Sequence, residues 1–381
     1  MSNTKMRRMF VLVAAVCLSV AFFTGCGGAP EGQEDYEKGL AAYEAGDYAT
    51  AITHFTTAAA LDHPGAQCYL GICYQEGKGV TKDWSEAVTW YQAAAGQEDE
   101  EALYRLGWCY GKAVGVEYDM RKQYMLWTLA AKLGHAKAQS EVGEFAIIYG
   151  DDDKFGLKLL RKAAEQENPA ALNMLGTYCE KRKRDFREAE KWYRKAAEAY
   201  LRDAERGDAE AQLELGIMYE TGQGVTKDPA EAEKWFRKAQ ESFHRDAEQG
   251  DPWKQMLLGV LYSMGKYGIE QNDAEVIKWV GMSATQGFME AQELMGAFYF
   301  RGKHVEKDDA EAVRWYRKAE AQGSESAQSF FEKHPELLSP GAGTPEAAGT
   351  TEDAGTQSAP GTSYPPVDEV FRALERFKNS K

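Results

Sequence analysis

The stretch Ala211-Gln212-Leu213-Glu214-Leu215-Gly216-Ile217-Met218-Tyr219, running on through Gly222-Gln223-Gly224-Val225 to Asp228-Pro229, is one copy of a pattern that recurs along the chain. Its Leu-Gly pair returns as Leu70-Gly71, Leu106-Gly107, Leu175-Gly176 and Leu258-Gly259, with Val142-Gly143 and Met295-Gly296 as variants. Successive glycines stand 36, 36, 33, 40, 43 and 37 residues apart, near the period of a two-helix solenoid repeat. Such a unit cannot bury its apolar face alone. Neighbours therefore stack into a superhelix with a long surface in place of one catalytic cleft. A single compact core would divide at 381 residues, whereas a solenoid grows by adding units.

The columns around the glycine have physical reasons. Ala precedes it by five residues at Ala66, Ala102, Ala138, Ala171, Ala211 and Ala291, and Tyr follows by three at Tyr74, Tyr110, Tyr219, Tyr262 and Tyr299. These spacings fall on one helical stripe, where small residues admit a close neighbour. Glycine inside a helix costs ~1 kcal/mol against alanine, so its recurrence implies tight packing at that point. The first helix is expected to stop at glycines such as Gly77-Lys78-Gly79 and Gly222-Gln223-Gly224, which permit positive φ. A cap column, Asp83, Asp119, Asp185, Asp228, Asn272 and Asp308, then opens the second helix, with Glu three residues later at Glu86, Glu188, Glu231, Glu275 and Glu311. Seven residues after the cap stand Trp90, Leu126, Trp192, Trp235, Trp279 and Trp315.

This combination of columns resembles the Sel1-like repeat family over residues 66–323, in seven units. The resemblance implies an all-α fold, an α/α solenoid of Sel1-like or tetratricopeptide-like helix pairs, acting as an adaptor for protein complexes. Upstream, Ala42-Tyr43-Glu44-Ala45-Gly46-Asp47-Tyr48 with Ala51, Phe55, Ala58, Leu61 and Pro64 resembles a tetratricopeptide repeat over 34–65. Residues 324–338 are expected to form a capping helix. The second helices of the fourth and fifth units are longer by about two turns, over 196–206 and 239–249, and are expected to project as ridges.

The two ends read differently. Lys5, Arg7 and Arg8 precede an apolar run from Phe10 to Phe23, too short for a usual span of ~20 residues, so residues 1–25 read as an export signal. The run ends in Phe23-Thr24-Gly25-Cys26, which resembles the lipobox of bacterial lipoproteins. That likeness makes Cys26 the lipidation site and residues 26–33 a tether. It implies a lipid-anchored protein of the bacterial cell envelope, outer-membrane and periplasm-facing in a two-membrane cell, since Asp does not follow the Cys. At the other end, residues 339–365 are rich in Gly, Ala, Thr, Pro and Ser without apolar period and read as a disordered linker. Over 366–381, Val367, Val370, Phe371, Leu374 and Phe377 return to one stripe, a short amphipathic helix.

Charge and cysteine usage narrow the functions. The net charge is −15, and −18 once a signal carrying three basic and no acidic residues is removed. Nucleic-acid binding needs the opposite balance, and broad adhesion to anionic headgroups is disfavoured. Export would permit disulfides among Cys68, Cys73, Cys109 and Cys179. Cys68 and Cys73 nevertheless point apart on one predicted helix, and Cys73 and Cys109 repeat one position, so buried small hydrophobes are expected.

No catalytic constellation emerges. Gly222-x-Gly224 follows no strand and lacks the phosphate-loop continuation, the acidic columns are explained by capping, and the six His residues have no metal-ligand spacing. No cofactor, metal or small-molecule substrate is expected. Lys181-Arg182-Lys183-Arg184 replaces a Gly-x-Gly turn and reads as an exposed loop, or as a contact for an acidic partner or anionic envelope polymer. One strip of the first helices carries apolar and aromatic residues where polar ones belong: Tyr69, Ile72, Arg105, Trp108 and Ile217. They are candidate protein-binding residues, since Trp, Tyr and Arg are common interface anchors, with packing between repeats as the alternative. The leading reading is an envelope scaffold binding other proteins. A narrower version resembles the repeat lipoproteins that support exopolysaccharide secretion. The enzyme alternative resembles β-lactamase-like, cysteine-rich Sel1 proteins, whose regular Cys pair per repeat is missing here.

Overall fold

The computed structural model describes residues 31–150 and 152–338. The expected export signal, the linker at 339–365 and the terminal helix at 366–381 lie outside the described residues, as does most of the 26–33 tether. Within them the chain is all-helical, without a strand. The first four hairpins are α1 (Gln33–Glu44) with α2 (Tyr48–Ala59), α3 (Pro64–Glu76) with α4 (Trp84–Ala95), α5 (Glu100–Lys112) with α6 (Met120–Leu133), and α7 (Ala136–Ile148) with α8 (Asp153–Glu165). Four more follow: α9 (Pro169–Tyr178) with α10 (Phe186–Glu205), α11 (Ala209–Thr221) with α12 (Pro229–Glu248), α13 (Pro252–Met264) with α14 (Asp273–Thr285), and α15 (Met289–Arg301) with α16 (Asp309–Ala321). The stack is closed by α17 (Glu325–Lys333) and a 3₁₀ turn, Pro335–Leu338. Packing is closest within a hairpin and next closest between each second helix and the following first helix, as a solenoid requires.

The repeat glycine sits where the two helices of a hairpin cross. A methyl group on Gly71, Gly107, Gly176 or Gly216 would come within 2.5–2.6 Å of Tyr91, Trp127, Tyr193 or Phe236. The ring on the glycine is thus the residue after the predicted Trp column. Every member of the predicted cap column caps its helix. Asp228 Oδ1, for instance, accepts from the N–H groups of Ala230 at 3.0 Å and Glu231 at 3.1 Å. At the hairpin turn, Gly224 has φ +68° and approaches the Tyr193 carbonyl so closely that a methyl group would lie 2.3 Å from it. Only glycine is compatible with both demands.

A second bonding system joins successive repeats. Buried glutamines four residues before the glycine donate to the carbonyl that ends the preceding hairpin: Gln139 to Ala131 at 3.0 Å, Gln212 to Ala204 at 3.0 Å, Gln255 to Ala247 at 2.9 Å and Gln292 to Ala284 at 3.2 Å. Three of these accept from the next glutamine along the stack, from Gln166 at 3.0 Å, Gln286 at 2.7 Å and Gln322 at 2.7 Å. At Ala204, Ala247 and Ala284 the amide adds a second bond to a carbonyl that also accepts from the N–H of Gly207, Gly250 or Gly287.

Two expectations need correction. The extended turns of α10 and α12 do not project, because Ala199, Tyr200, Ala204, Phe243 and Ala247 are buried against the next first helix. The run Lys181–Arg184 is exposed as expected, yet it is not an irregular loop. Cys179–Lys183 forms a π-helical turn continuing α9, and Arg184 takes the positive φ of +54° that glycine holds elsewhere. Cys68, Cys73, Cys109 and Cys179 are free and buried, as small hydrophobes would be.

Candidate partner-binding surface

Positions two before and one after each repeat glycine form the strip to which the candidate residues belong. It holds Tyr69 and Ile72 on α3, Arg105 and Trp108 on α5, Glu141 and Glu144 on α7, and Glu214 and Ile217 on α11. Strip residues of separate repeats converge on one axis. Glu141 lies within electrostatic reach of Lys112 from α5 and Glu210 from α11, and Glu144 within reach of Glu214. Desolvation pushes the Glu144 carboxyl up to about 7, helped by the Glu141 and Glu214 charges, and pushes Glu214 up to about 6, helped by Glu210. Burial also raises Glu210, but the Lys254 ammonium at 2.5 Å outweighs it and leaves that carboxyl below its ordinary value. The inner surface around α7 and α11 is therefore polar and predominantly acidic.

The candidate residues divide along this strip. Ile72 is 6% exposed and belongs to the apolar core of the second and third hairpins, so the expected exposure is wrong there. Tyr69 is half-buried against Phe55 at 5.1 Å and Tyr43 at 5.5 Å. Trp108 is half-buried and stacks on Trp84 at 5.7 Å. Arg105 remains partly exposed and is held by Glu101 at 2.5 Å. His135 also bonds Glu101 through Nε2 at 2.9 Å, while its Nδ1 accepts from Ala138 N–H, which fixes the ring proton on Nε2. Burial opposes ionisation of Glu101, yet its His135 and Arg105 partners lower the carboxyl to about 2. Ile217 is half-buried.

Trp108 is covered because the superhelix returns upon itself. The turn edge of the second and third hairpins packs against the opposite edge of the seventh and eighth. Lys82 Nζ donates to the Gly250 carbonyl at 2.8 Å, and Lys112 Nζ pairs with Glu290 at 3.1 Å while lying 4.3 Å from the Trp253 ring centre. Val114, Trp84 and Trp108 share one apolar cluster with Met256, Val260 and Trp253, and Ala113 and Tyr118 pack with Met289, Ala319 and Ala327. Two buried polar atoms at this seam, Trp84 Nε1 and Glu290 Oε2, have no hydrogen-bond partner. Among the described residues no His, Cys, Asp and Glu cluster could hold a metal, and no helix is long and apolar enough to cross a membrane.

Sequence reading missed three features: the glutamine ladder, the seam, and a second cap column at the first helices. That column includes Asp99, Asn168, Asp208 and Asp251, each accepting from the N–H three residues on. The ladder and these caps left a signal, since both recur at fixed offsets from the glycine. The seam left none.

The Sel1 repeat model matches eight consecutive segments: 32–63, 64–99, 100–135, 136–168, 169–200, 209–241, 255–288 and 290–324. The chain belongs to the Sel1 repeat family. The first match covers the segment that resembles a tetratricopeptide repeat, so the family model counts α1–α2 as a Sel1 repeat too. Among solved structures, a Sel1 repeat protein from Oxalobacter formigenes is 28% identical, over 67% of this chain and 97% of its own, with a TM-score of 0.40. The protective antigen c5321 of uropathogenic Escherichia coli is 29% identical, over 87% of this chain and 74% of its own, with a TM-score of 0.39. The immunity protein Pa5087 from Pseudomonas aeruginosa is 20% identical, over 59% and 86%, with a TM-score of 0.40. No curated protein matches. Sel1 repeat proteins are generally protein-interaction scaffolds.

Proposed function

We propose that this Sel1 repeat protein is a lipid-anchored cell-envelope adaptor that holds other proteins on its superhelix. The observation that carries the anchor is the succession of Lys5, Arg7 and Arg8, an apolar run and Phe23-Thr24-Gly25-Cys26, a few residues before α1 begins at Gln33. Acylation at Cys26 would leave a short tether, placing the first hairpin near the membrane. For the partner, the accessible part of the inner strip is the surface to test: Arg105, Glu141, Glu144, Glu214 and Ile217. Tyr69, Ile72 and Trp108 serve packing. The acidic members favour a partner segment carrying Lys or Arg.

Cys26→Ser is expected to block processing and move the protein out of the membrane fraction. Wild-type mature protein without acyl mass on its first residue ends the anchoring claim. Glu141→Gln with Glu214→Gln is expected to reduce crosslinking to partners in cells while leaving helicity unchanged. Undiminished crosslinking by that variant removes the inner strip from consideration.

A further inference from the structure

The outer layer of the fourth and fifth hairpins has a composition that the scaffold reading leaves unused. On α8, Lys154, Lys158, Arg161 and Lys162 stand two, six, nine and ten residues after the Asp152 cap. On α10, Arg187, Lys191, Arg194 and Lys195 stand at the same four offsets from the Asp185 cap. All eight are exposed, and Lys181-Arg182-Lys183-Arg184 adds four exposed basic residues between them. Residues 154–195 thus hold twelve basic against six acidic residues in a chain of net charge −15. The two helices are neighbours, since Leu160 and Ala163 of α8 share an apolar cluster with Trp192 of α10. Arg161 and Lys183 both lie within electrostatic reach of Cys179 between them.

The same register is neutralised elsewhere. On α12, Lys234 pairs with Glu231 at 2.6 Å and Arg237 with Glu233 at 3.6 Å. On α16, Arg314 pairs with Glu311 at 2.8 Å and Arg317 with Glu320 at 2.7 Å. The α8 positions equivalent to Glu231 and Glu233 are Phe155 and Leu157, so the carboxylates are replaced by apolar residues. On α10 both carboxylates remain, as Glu188 and Glu190, with Glu190 3.6 Å from Arg194. At the start of α10, Phe186 is 65% exposed and is flanked in sequence by Arg184 and Arg187.

We propose that this outer face of α8, the π-helical turn and the start of α10 rests on an anionic lipid surface, with Phe186 entering the headgroup layer. Cations spread over two adjacent helices match a plane of negative charge, whereas a peptide ligand would need a groove. An exposed aromatic ring set among long basic side chains is the arrangement that partitions to a membrane interface. The overall negative charge conceals this local excess. The inference does not depend on acylation of Cys26, and its test separates the two.

The chain is mixed with phosphatidylcholine vesicles and with vesicles enriched in phosphatidylglycerol, and the two bound fractions are compared. With residues 1–25, and so Lys5, Arg7 and Arg8, removed beforehand, an acyl chain binds both kinds alike and the ratio reads the basic face alone. The wild type is expected to favour the anionic vesicles by about tenfold or more at low salt, and to lose that preference at high salt. Lys158→Gln, Arg161→Gln, Arg182→Gln and Lys183→Gln together are expected to bring the ratio near one with the circular dichroism spectrum unchanged. A wild-type ratio near one, or a preference kept by the quadruple variant, overturns the proposal. Binding of polyglutamate without any preference between vesicles overturns it as well and reassigns the face to acidic proteins.

Discussion

Gly216 shows how little room each hairpin leaves where its helices cross. A methyl group there would lie 2.5 Å from the Phe236 ring. Gly216→Val is therefore expected to cost ~1–3 kcal/mol or more through overpacking, measured as a lowered denaturation midpoint. An unchanged midpoint would mean that the crossing relaxes freely. Glu293 makes the opposite kind of demand. It is 6% exposed, accepts from Ser324 Oγ, and its carboxyl is pushed up to about 7 by burial, with the Glu290 charge adding to the rise. The unfolded chain releases this proton near 4.5 and the folded chain near 7, so between those values the folded state binds more protons. Stability should fall as pH rises through that window, by on the order of 3 kcal/mol from this group alone. Glu293→Gln is expected to match the wild type at pH 4 and exceed it at pH 8, seen as slower amide exchange in α17. An advantage that is equal at both pH values would refute the buried-proton account.

Helices, caps and crossings were legible because the glycine column recurs seven times with a cap following close behind it, so many copies report one local rule. The capping Asp228 and the crossing Gly216 needed nothing beyond their own hairpin. The glutamine ladder was equally periodic but is silent to a reading by hydrophobic pattern, since Gln255 is a polar residue on a buried stripe. Its partners are Ala247 of the preceding hairpin and Gln286 at the end of α14 in its own, 31 residues on, and only the folded stack brings them together. Gln255 is 1% exposed, and Gln255→Leu removes its bond to the Ala247 carbonyl, which keeps the Gly250 N–H, and its bond from the exposed Gln286 side chain. The expected cost is ~1 kcal/mol, that of lost hydrogen bonds. It should appear as faster exchange at the α12–α13 junction, leaving α1 and α2 unaffected, because solenoid stability is a sum of neighbour terms. Uniform destabilisation of all repeats would contradict that locality.

At the scale of the whole molecule, the periodic sequence is a poor guide. Lys82 and Gly250 are 168 residues apart and Lys112 and Glu290 178 apart, and they meet only because small rotations per repeat accumulate into a superhelical turn. No single repeat encodes that sum, which is why Trp108 reads as an exposed anchor in the sequence and lies at a seam in the fold. The seam is also chemically unlike the joints between neighbouring repeats. Those are apolar and bridged by glutamines, whereas here a cation lies on an aromatic face and one Lys bonds a backbone carbonyl; Trp84 Nε1 and Glu290 Oε2 go unsatisfied here, as Gln212 Oε1 and Trp235 Nε1 do between neighbouring repeats. An interface with unpaired buried polar atoms and partly exposed ion pairs adds little stability per contact, so it should open before any hairpin unfolds. Lys112→Glu sets a carboxylate against Glu290 and removes the cation from Trp253. It is expected to raise the radius of gyration measured by small-angle scattering while the helical signal stays constant. Adding Glu290→Lys to that variant restores opposite charges and should bring the scattering curve back toward the wild type. A scattering curve unmoved by Lys112→Glu would show that the apolar contacts of Val114, Met256 and Val260 alone hold the turns together, and the charged pair would then be incidental to closure.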